Sequence, residues 1–241
     1  ENKKTHREII CEIVGIKDFK KYEPFLRLNN YQRNLAKEFF RRHNLSKTDF
    51  IIGINTGSGE RWPKELSVEK TAKLIDGLYK KYNARILLFG GPNGIERNRE
   101  IHKFTKTPII DTGTGNNLVE FPALVSICNF FITSDTLGLH IALALKRVTI
   151  VLLGPTSNAE IDVYNLGEKI MAESNCLSCY KENCKSMSKI NIKEIFSAIE
   201  RVLSKKITLV ITAFKEPKLI GGAIEAALNQ QTNYKYNLIV S

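Results

Sequence analysis

Phe130-Phe131-Ile132-Thr133-Ser134-Asp135-Thr136-Leu137-Gly138-Leu139-His140-Ile141-Ala142-Leu143-Ala144 is an apolar run that stops at a polar corner and resumes with helical spacing. It reads as a buried strand passing directly into a helix. The first N–H groups of a helix have no partner inside it and carry partial positive charge, so such a corner suits an anion, phosphate above all. Ser134, Asp135 and Thr136 crowd the helix start, and His140 lies one turn in, on the side that includes Thr136. A plain alternative stands beside this: Asp135 or Thr136 as an ordinary N-cap, and His140 as a half-buried histidine.

Working outward, residues 50–55 read as another buried strand, 67–82 as a helix, 84–89 as a strand, 94–104 as a helix, 108–111 as a short strand and 118–128 as a helix. The central stretch follows, then a strand over 148–153. Alternation of this kind, with continuous apolar strands, predicts a parallel α/β sheet covered by helices on both faces. Ligands of such sheets bind beyond the carboxyl ends of the strands. Five such ends follow in order: Thr56-Gly57-Ser58-Gly59-Glu60-Arg61-Trp62-Pro63-Lys64, Gly90-Gly91-Pro92-Asn93, Thr112-Gly113-Thr114-Gly115, Ser134-Asp135-Thr136 and Gly154-Pro155-Thr156. Glycines let backbone approach a ligand, and hydroxyls and N–H groups serve phosphates and sugars. Gly and Pro also gather in any loop, so the weight lies in five on one edge. Gly57-Ser58-Gly59 lacks the third glycine of a dinucleotide fingerprint and no Gly-Lys-Ser/Thr follows a glycine loop, which excludes a standard NAD site and a P-loop.

The 241 residues suit one large domain or one and a half ordinary ones. No run approaches the roughly 18 apolar residues of a membrane span, and the first residues do not resemble a targeting peptide, so the expectation is a soluble chain. The net charge of +11 is spread thinly: residues 1–49 carry 12 Lys/Arg against 7 Asp/Glu, and 130–205 carry 9 against 8. That fits an anionic small molecule or an anionic membrane surface at least as well as a duplex, which favours a dense basic face, and no nucleic-acid partner is expected. Five cysteines in a chain of this size point to a reducing, cytoplasmic setting. Residues 1–48 carry too little apolar surface for a domain and read as the tail of something preceding, or as a lead-in that packs on the sheet.

Arg61-Trp62-Pro63, Gly90-Gly91-Pro92, Ser134-Asp135-Thr136 with His140, and Gly154-Pro155-Thr156, in this order and spacing, resemble the family 9 glycosyltransferases, the lipopolysaccharide heptosyltransferases and their relatives. The resemblance covers roughly residues 8–204. It implies a GT-B architecture of two facing Rossmann-like domains, residues 49–205 being the C-terminal domain that binds the nucleotide-sugar donor. Residues 1–48 then resemble the connection from an N-terminal acceptor domain, absent here, that supplies the acidic base.

By the same resemblance Ser134, Asp135, Thr136, Gly138 and His140 line the donor's diphosphate and sugar, with Asp135 accepting from N–H groups or sugar hydroxyls. Glu96 accepts from the ribose; Thr56, Gly57, Ser58, Arg61 and Lys64 close on the diphosphate; Thr156 completes the list. No metal or other cofactor is expected where basic residues and a helix dipole neutralise the leaving group. The chain departs from the family in three places: Leu137 where Gly is usual, Glu60 where Lys is frequent, and Ser157-Asn158 where Asp-Pro is common. The sugar and the nucleobase therefore stay open, ADP among the candidates.

Cys176-x-x-Cys179-x4-Cys184 is similar to a cysteine cluster of some family members, with Ser186 where another Cys often stands. Surface thiols or a tied loop are expected; zinc with an outside fourth ligand is the alternative. Beyond a helix at 192–203 and a junction at 204–206, a strand from 207, a helix at 218–230 and a strand at 236–240 resemble the opening of a family 2, GT-A transferase, making 206–241 the start of a second domain. The expected partners are a nucleotide-sugar donor and a lipid-linked or oligosaccharide acceptor, with contact at the inner face of the plasma membrane. The other readings are a non-catalytic nucleotide- or phosphosugar-binding module and a sugar-nucleotide epimerase or hydrolase.

Overall fold

The structure, a computed structural model, describes residues 2–59, 61–174, 176, 178–204, 207–211, 217–229 and 236–240. Its chain contacts divide into two units, Glu1–Ile195 and Phe196–Ser241.

The first unit opens with α1 (His6–Ile13), whose N-cap Thr5 accepts from the Glu8 N–H at 3.1 Å, and α2 (Asn30–Arg42), which begins with a reciprocal capping box between Asn29 and Gln32. Strands and helices then alternate: β1 (Ile51–Asn55), α3 (Val68–Tyr82), β2 (Arg85–Phe89), α4 (Ile95–Phe104), β3 (Ile109–Asp111), α5 (Glu120–Val125), β4 (Phe130–Ser134), α6 (Leu137–Ala144), β5 (Val148–Leu153) and β6 (Gly167–Met171). α7 (Ile192–Leu203) follows and runs across the division.

The six strands form one parallel sheet in the order β3-β2-β1-β4-β5-β6. β1 is its pivot: Ile52 stands opposite Ile86 of β2 on one side and Phe130 of β4 on the other. The strand order reverses there, and the crevice above that point is the binding place of doubly wound folds. One face of the sheet packs Ile51, Leu87, Phe89 and Phe131 with Leu124, Val125 and Ile141; Leu35, Phe39 and Phe40 of α2 pack against this cluster, so the lead-in is part of the core. Leu139 and Leu143, from the other side of α6, join Val151, Leu153 and Ile161. α3 buries Leu74, Ile75 and Leu78 completely. Each fully buried side chain of this size contributes about 1.5–3 kcal/mol, which is what holds the polar corners at the strand ends in place.

Two elements differ from the sequence reading. β6 was not expected, because Gly167-Glu168-Lys169-Ile170-Met171 has neither the apolar run of a central strand nor clean alternation; it is an edge strand paired on one side only. The helix expected over 118–128 is confined to Glu120–Val125. Asn117 delays its start by accepting from the N–H groups of Val119 and Glu120, and tight turns at Ile127 and Cys128 close it and lead into β4. Among the described residues no helix is long and apolar enough to cross a membrane.

The second unit holds the rest of α7, then β7 (Ile207–Ile211), α8 (Pro217–Leu228) and β8 (Tyr236–Val240). β7 and β8 pair in parallel, Ile207 opposite Tyr236, across the helix. The expected junction at Lys205-Lys206 and the polar exit at 212–216 lie outside the described residues.

Candidate functional site

A cavity of about 460 Å3 opens at the carboxyl ends of β1, β2 and β4, at the point of reversal. Volumes of a few hundred Å3 and upward are those of small-molecule sites. β1 and its exit loop contribute Asn55, Gly57, Ser58 and Lys64; the β2 exit contributes Gly90, Gly91 and Pro92. The loop after β3 adds Thr114, Asn116 and Leu118, the first turn of α5 adds Phe121, and the N-cap and first turn of α6 add Thr136, Leu137 and Gly138. One part of the wall is thus polar and cationic and another apolar. The Phe121 ring of that apolar wall rests on a buried aromatic cluster, 5.5 Å from Phe89 and 6.4 Å from Phe131.

Asn55 organises the polar part. Its amide donates to Thr133 Oγ1 at 3.0 Å and to Thr136 Oγ1 at 3.3 Å, and the two hydroxyls stand 3.2 Å apart. Thr136 is the N-cap of α6, yet its side chain makes no capping bond, being held by Asn55 and Thr133 instead. The first-turn amides of α6 are therefore not capped by this hydroxyl, and they sit at the cavity edge. Gly138 has to be small: a Cβ there would meet Asn55 Nδ2 at 2.9 Å and Phe131 Cε1 at 3.3 Å. At Gly57 a Cβ would lie 2.7 Å from the Gly91 nitrogen, so two loops of the site touch backbone to backbone.

The charge of the site is set by Lys64. Its ammonium donates to the Asp135 backbone carbonyl and lies 3.4 Å from Asp135 Oδ2, with only 12% and 21% of the two side chains exposed. Lys64 also stands 5.7 Å from the centre of the Trp62 ring. Ser58 is fixed by Glu65, whose carboxylate accepts from its N–H and hydroxyl and pairs with Arg97 at 3.2 Å. Trp62 donates its ring N–H to the Tyr180 carbonyl at 3.1 Å, with the two rings edge to face at 5.5 Å. Tyr180 O–H in turn donates to Glu160 at 2.8 Å and accepts from the Ser157 N–H at 3.1 Å. Burial, with the bond to Glu160 second, raises its pKa above the usual phenol value.

Of the residues the sequence singled out, the fold brings Gly57, Ser58, Lys64, Thr136 and Gly138 to the cavity, with Asp135 joined through Lys64. It does not bring the others there. Thr56 is buried under the loop, donating to the Phe89 carbonyl at 3.0 Å and bonded to Asn98 at 2.7 Å. Ser134 is buried at the end of β4. Thr156 is buried, its hydroxyl without a hydrogen-bond partner among the described residues. Arg61 lies over the outer Trp62 ring at 4.8 Å, and His140 is exposed on α6. Glu96 points to solvent, its carboxylate paired with Arg99 at 3.2 Å, because the first turn of α4 faces outward there. Glu60 lies outside the described residues.

The sequence reading missed Asn55, Asn116, Leu118 and Phe121. Asn55 carried a signal as the polar end of an apolar strand; the Asn116-Asn117 pair extended the Thr-Gly-Thr-Gly loop by two residues. Leu118 and Phe121 carried none, since apolar residues within a predicted helix read as core.

The three cysteines of the loop after β6 also come together, with the sulfurs of Cys176, Cys179 and Cys184 within 4.8 Å of one another. Mutual hydrogen bonding, first with Cys179, pushes the Cys176 thiol up to about 11. Burial pushes Cys184 up, but bonds from the Ser186 hydroxyl and N–H, and from the other two cysteines, bring it below the usual thiol value.

A parallel sheet of order 3-2-1-4-5-6 with a cavity at its reversal defines a doubly wound α/β domain of the kind that binds nucleotides. Residues 13–190 match the family described as glycosyltransferase family 9 (heptosyltransferase), and the chain belongs to that family. It is 29% identical over 112 residues to lipopolysaccharide heptosyltransferase 2 of Escherichia coli K12, a match over 45% of this chain and 31% of that protein. The fold is similar to the crystal structure of a family 9 glycosyltransferase from Veillonella parvula DSM 2008, with a TM-score of 0.71 and 23% identity over 83% of this chain and 60% of the other. It is also similar to the E. coli ADP-heptose lipopolysaccharide heptosyltransferase II, with a TM-score of 0.62 and 19% identity over 74% and 53%. The chain thus matches between 31% and 60% of the length of these relatives. Both structural likenesses match the parallel sheet and its helices to GT-B glycosyltransferase structures.

Proposed function

We propose that this chain is the donor-binding part of a glycosyltransferase that moves a sugar from a nucleoside-diphosphate donor to a lipopolysaccharide core or another surface glycan. Family membership supports the reaction class. The single observation that carries the donor role is the meeting of Lys64, Thr136 and the start of α6 in one cavity whose far wall, Leu118 and Phe121, is apolar. A nucleoside diphosphate has that division: two phosphates and a flat, largely apolar base.

The diphosphate sits at the α6 amides and Lys64 in this reading, the ribose near Asn116, and the base against Phe121. The name of the E. coli structural relative, an ADP-heptose enzyme, makes an ADP-linked donor the first candidate. Asp135, Arg61 and His140 meet the sugar end that projects from the cavity. During transfer an acceptor hydroxyl, deprotonated by a carboxylate of an acceptor domain, attacks the anomeric carbon, and the nucleoside diphosphate leaves. Lys64 and the helix amides stabilise the charge that develops on its terminal phosphate, so no metal is assigned there. The second unit, with its parallel strand–helix–strand, is proposed as the start of a GT-A-like domain fused behind the first. Action at the inner face of the plasma membrane belongs to the same proposal, through the basic excess of residues 1–49.

Calorimetric titration with ADP, GDP, UDP and CMP tests the reading. Binding of one of the four, weakened in Thr136→Val, is the expected result. No binding by any of them, or equal binding in the variant, refutes the assignment of this cavity to the donor.

A further inference from the structure

We propose that Cys176, Cys179 and Cys184 bind one zinc ion, and that this ion fixes the loop whose Tyr180 seats Trp62 against the donor-site loop. The proposal is independent of which nucleotide the cavity takes.

The three sulfurs already lie within 4.8 Å of one another, without a disulfide between any two. Tetrahedral zinc holds its sulfur ligands at about 2.3 Å, and so spaces them by roughly 3.8 Å; small side-chain rotations close the difference. An all-thiolate donor set selects zinc over the hard cations that prefer oxygen. Cys184 is buried; the Ser186 N–H donates to its sulfur at 3.5 Å, and its thiol donates to the Ser186 hydroxyl at 3.1 Å, a contact that reverses to hydroxyl-to-sulfur once the thiol is deprotonated and then orients a thiolate ligand. Cys176 is exposed and Cys179 half-exposed, leaving the fourth position open to water. On binding, each thiol gives its proton to solvent and each sulfur donates an electron pair to the ion.

The loop has the tight winding such a ligand set requires. Ser178 and Tyr180, on either side of Cys179, both hold left-handed backbone, φ +54° and +51°, a conformation that side chains disfavour. It is tied to the sheet at several points. The N–H groups of Ser178 and Tyr180 donate to the Gly154 and Pro155 carbonyls at 3.3 and 2.9 Å, and a Cβ on Gly154 would lie 2.6 Å from Ser186 Oγ. On its other side the Tyr180 carbonyl accepts the Trp62 ring N–H, two residues before Lys64. A metal that holds 176–184 therefore holds Trp62.

Trp62 is the only tryptophan of the chain and reports on the loop directly. The experiment loads the reduced protein with zinc, removes excess by desalting, and measures metal content together with Trp62 emission; cobalt replaces zinc in a parallel sample. One equivalent of zinc per chain, thiolate-to-cobalt absorption, loss of both in Cys176→Ser, and an emission shift on chelation that zinc reverses are the expected results. Cys176→Ser alters an exposed residue and keeps the fold testable, and Cys184→Ser is compared with it. Less than about a fifth of an equivalent in the reduced wild type overturns the proposal, as does zinc retained when all three cysteines are serine. A disulfide among the three that after reduction takes up no zinc overturns it in favour of a tied loop, and unchanged Trp62 emission on zinc removal overturns the seating role.

Discussion

Lys64 and Asp135 are ion-paired at the cavity, so removing the one charge or the other moves diphosphate affinity in opposite directions. Lys64→Met keeps the length of the side chain and removes its charge. A hydrogen bond to a charged group contributes about 1.5–3 kcal/mol, so ADP, taken as the ligand, binds roughly 10- to 150-fold more weakly. Asp135→Asn removes a carboxylate that repels the phosphates. At about 6 Å and an effective dielectric of about 20 that repulsion is close to 3 kcal/mol before solvent screening, which leaves a gain of about three- to tenfold for so partly exposed a group. Calorimetry at about 0.05 and about 0.3 M salt reads both, and salt weakens wild-type binding more than that of Lys64→Met. Thermal unfolding confirms that the variants fold. Wild-type affinity in Lys64→Met, or weaker ADP binding in Asp135→Asn, refutes the placement of the diphosphate at Lys64.

Gly138→Ala puts a methyl 2.9 Å from Asn55 Nδ2 and pushes that amide off the hydroxyls of Thr133 and Thr136. Overpacking of this kind costs about 1–3 kcal/mol, so the melting temperature falls by roughly 2–10 °C in a scan; an unchanged or higher value, as helix propensity alone would give, counts against the contact. Glu96→Ala leaves nucleotide affinity within about twofold by titration, since the carboxylate faces Arg99 and solvent; a larger loss would return Glu96 to the ribose. The Tyr180 phenol is held above its ordinary pKa of 10.0, so its contribution is fully present below that value and is lost as pH rises through the higher folded value. Trp62 emission is therefore expected to stay constant from about pH 7 to 10 and to change above it, and Tyr180→Phe to remove that alkaline step; a step below pH 9 speaks against the assignment.

Much of the sheet was legible because central parallel strands are apolar on both faces, as Ile51–Asn55 and Phe130–Ser134 are, and their exits collect Gly, Ser and Thr. β6 escaped because an edge strand can carry Glu168 and Lys169 at little cost. The family was legible in four short motifs whose order, more than any one of them, is specific. Within those motifs, however, the residue types alone did not separate cavity from support. Thr56 and Thr136 both close a strand with a hydroxyl; only the fold turns Thr136 to the cavity and sinks Thr56 beneath Phe89 and Asn98.

The sequence by itself determined the alternation of strand and helix, the parallel sheet and the edge on which the site lies, since these follow from periodicity along the chain; the family came through the resemblance of four motifs in order. Tertiary structure alone decided that Asn55 joins Thr133 to Thr136, that Lys64 reaches Asp135, that Phe121 reaches the cavity, and that three cysteines spread over nine positions meet near one point. Those contacts bring together residues up to 81 positions apart, and no local pattern encodes a distance that depends on how two loops leave neighbouring strands.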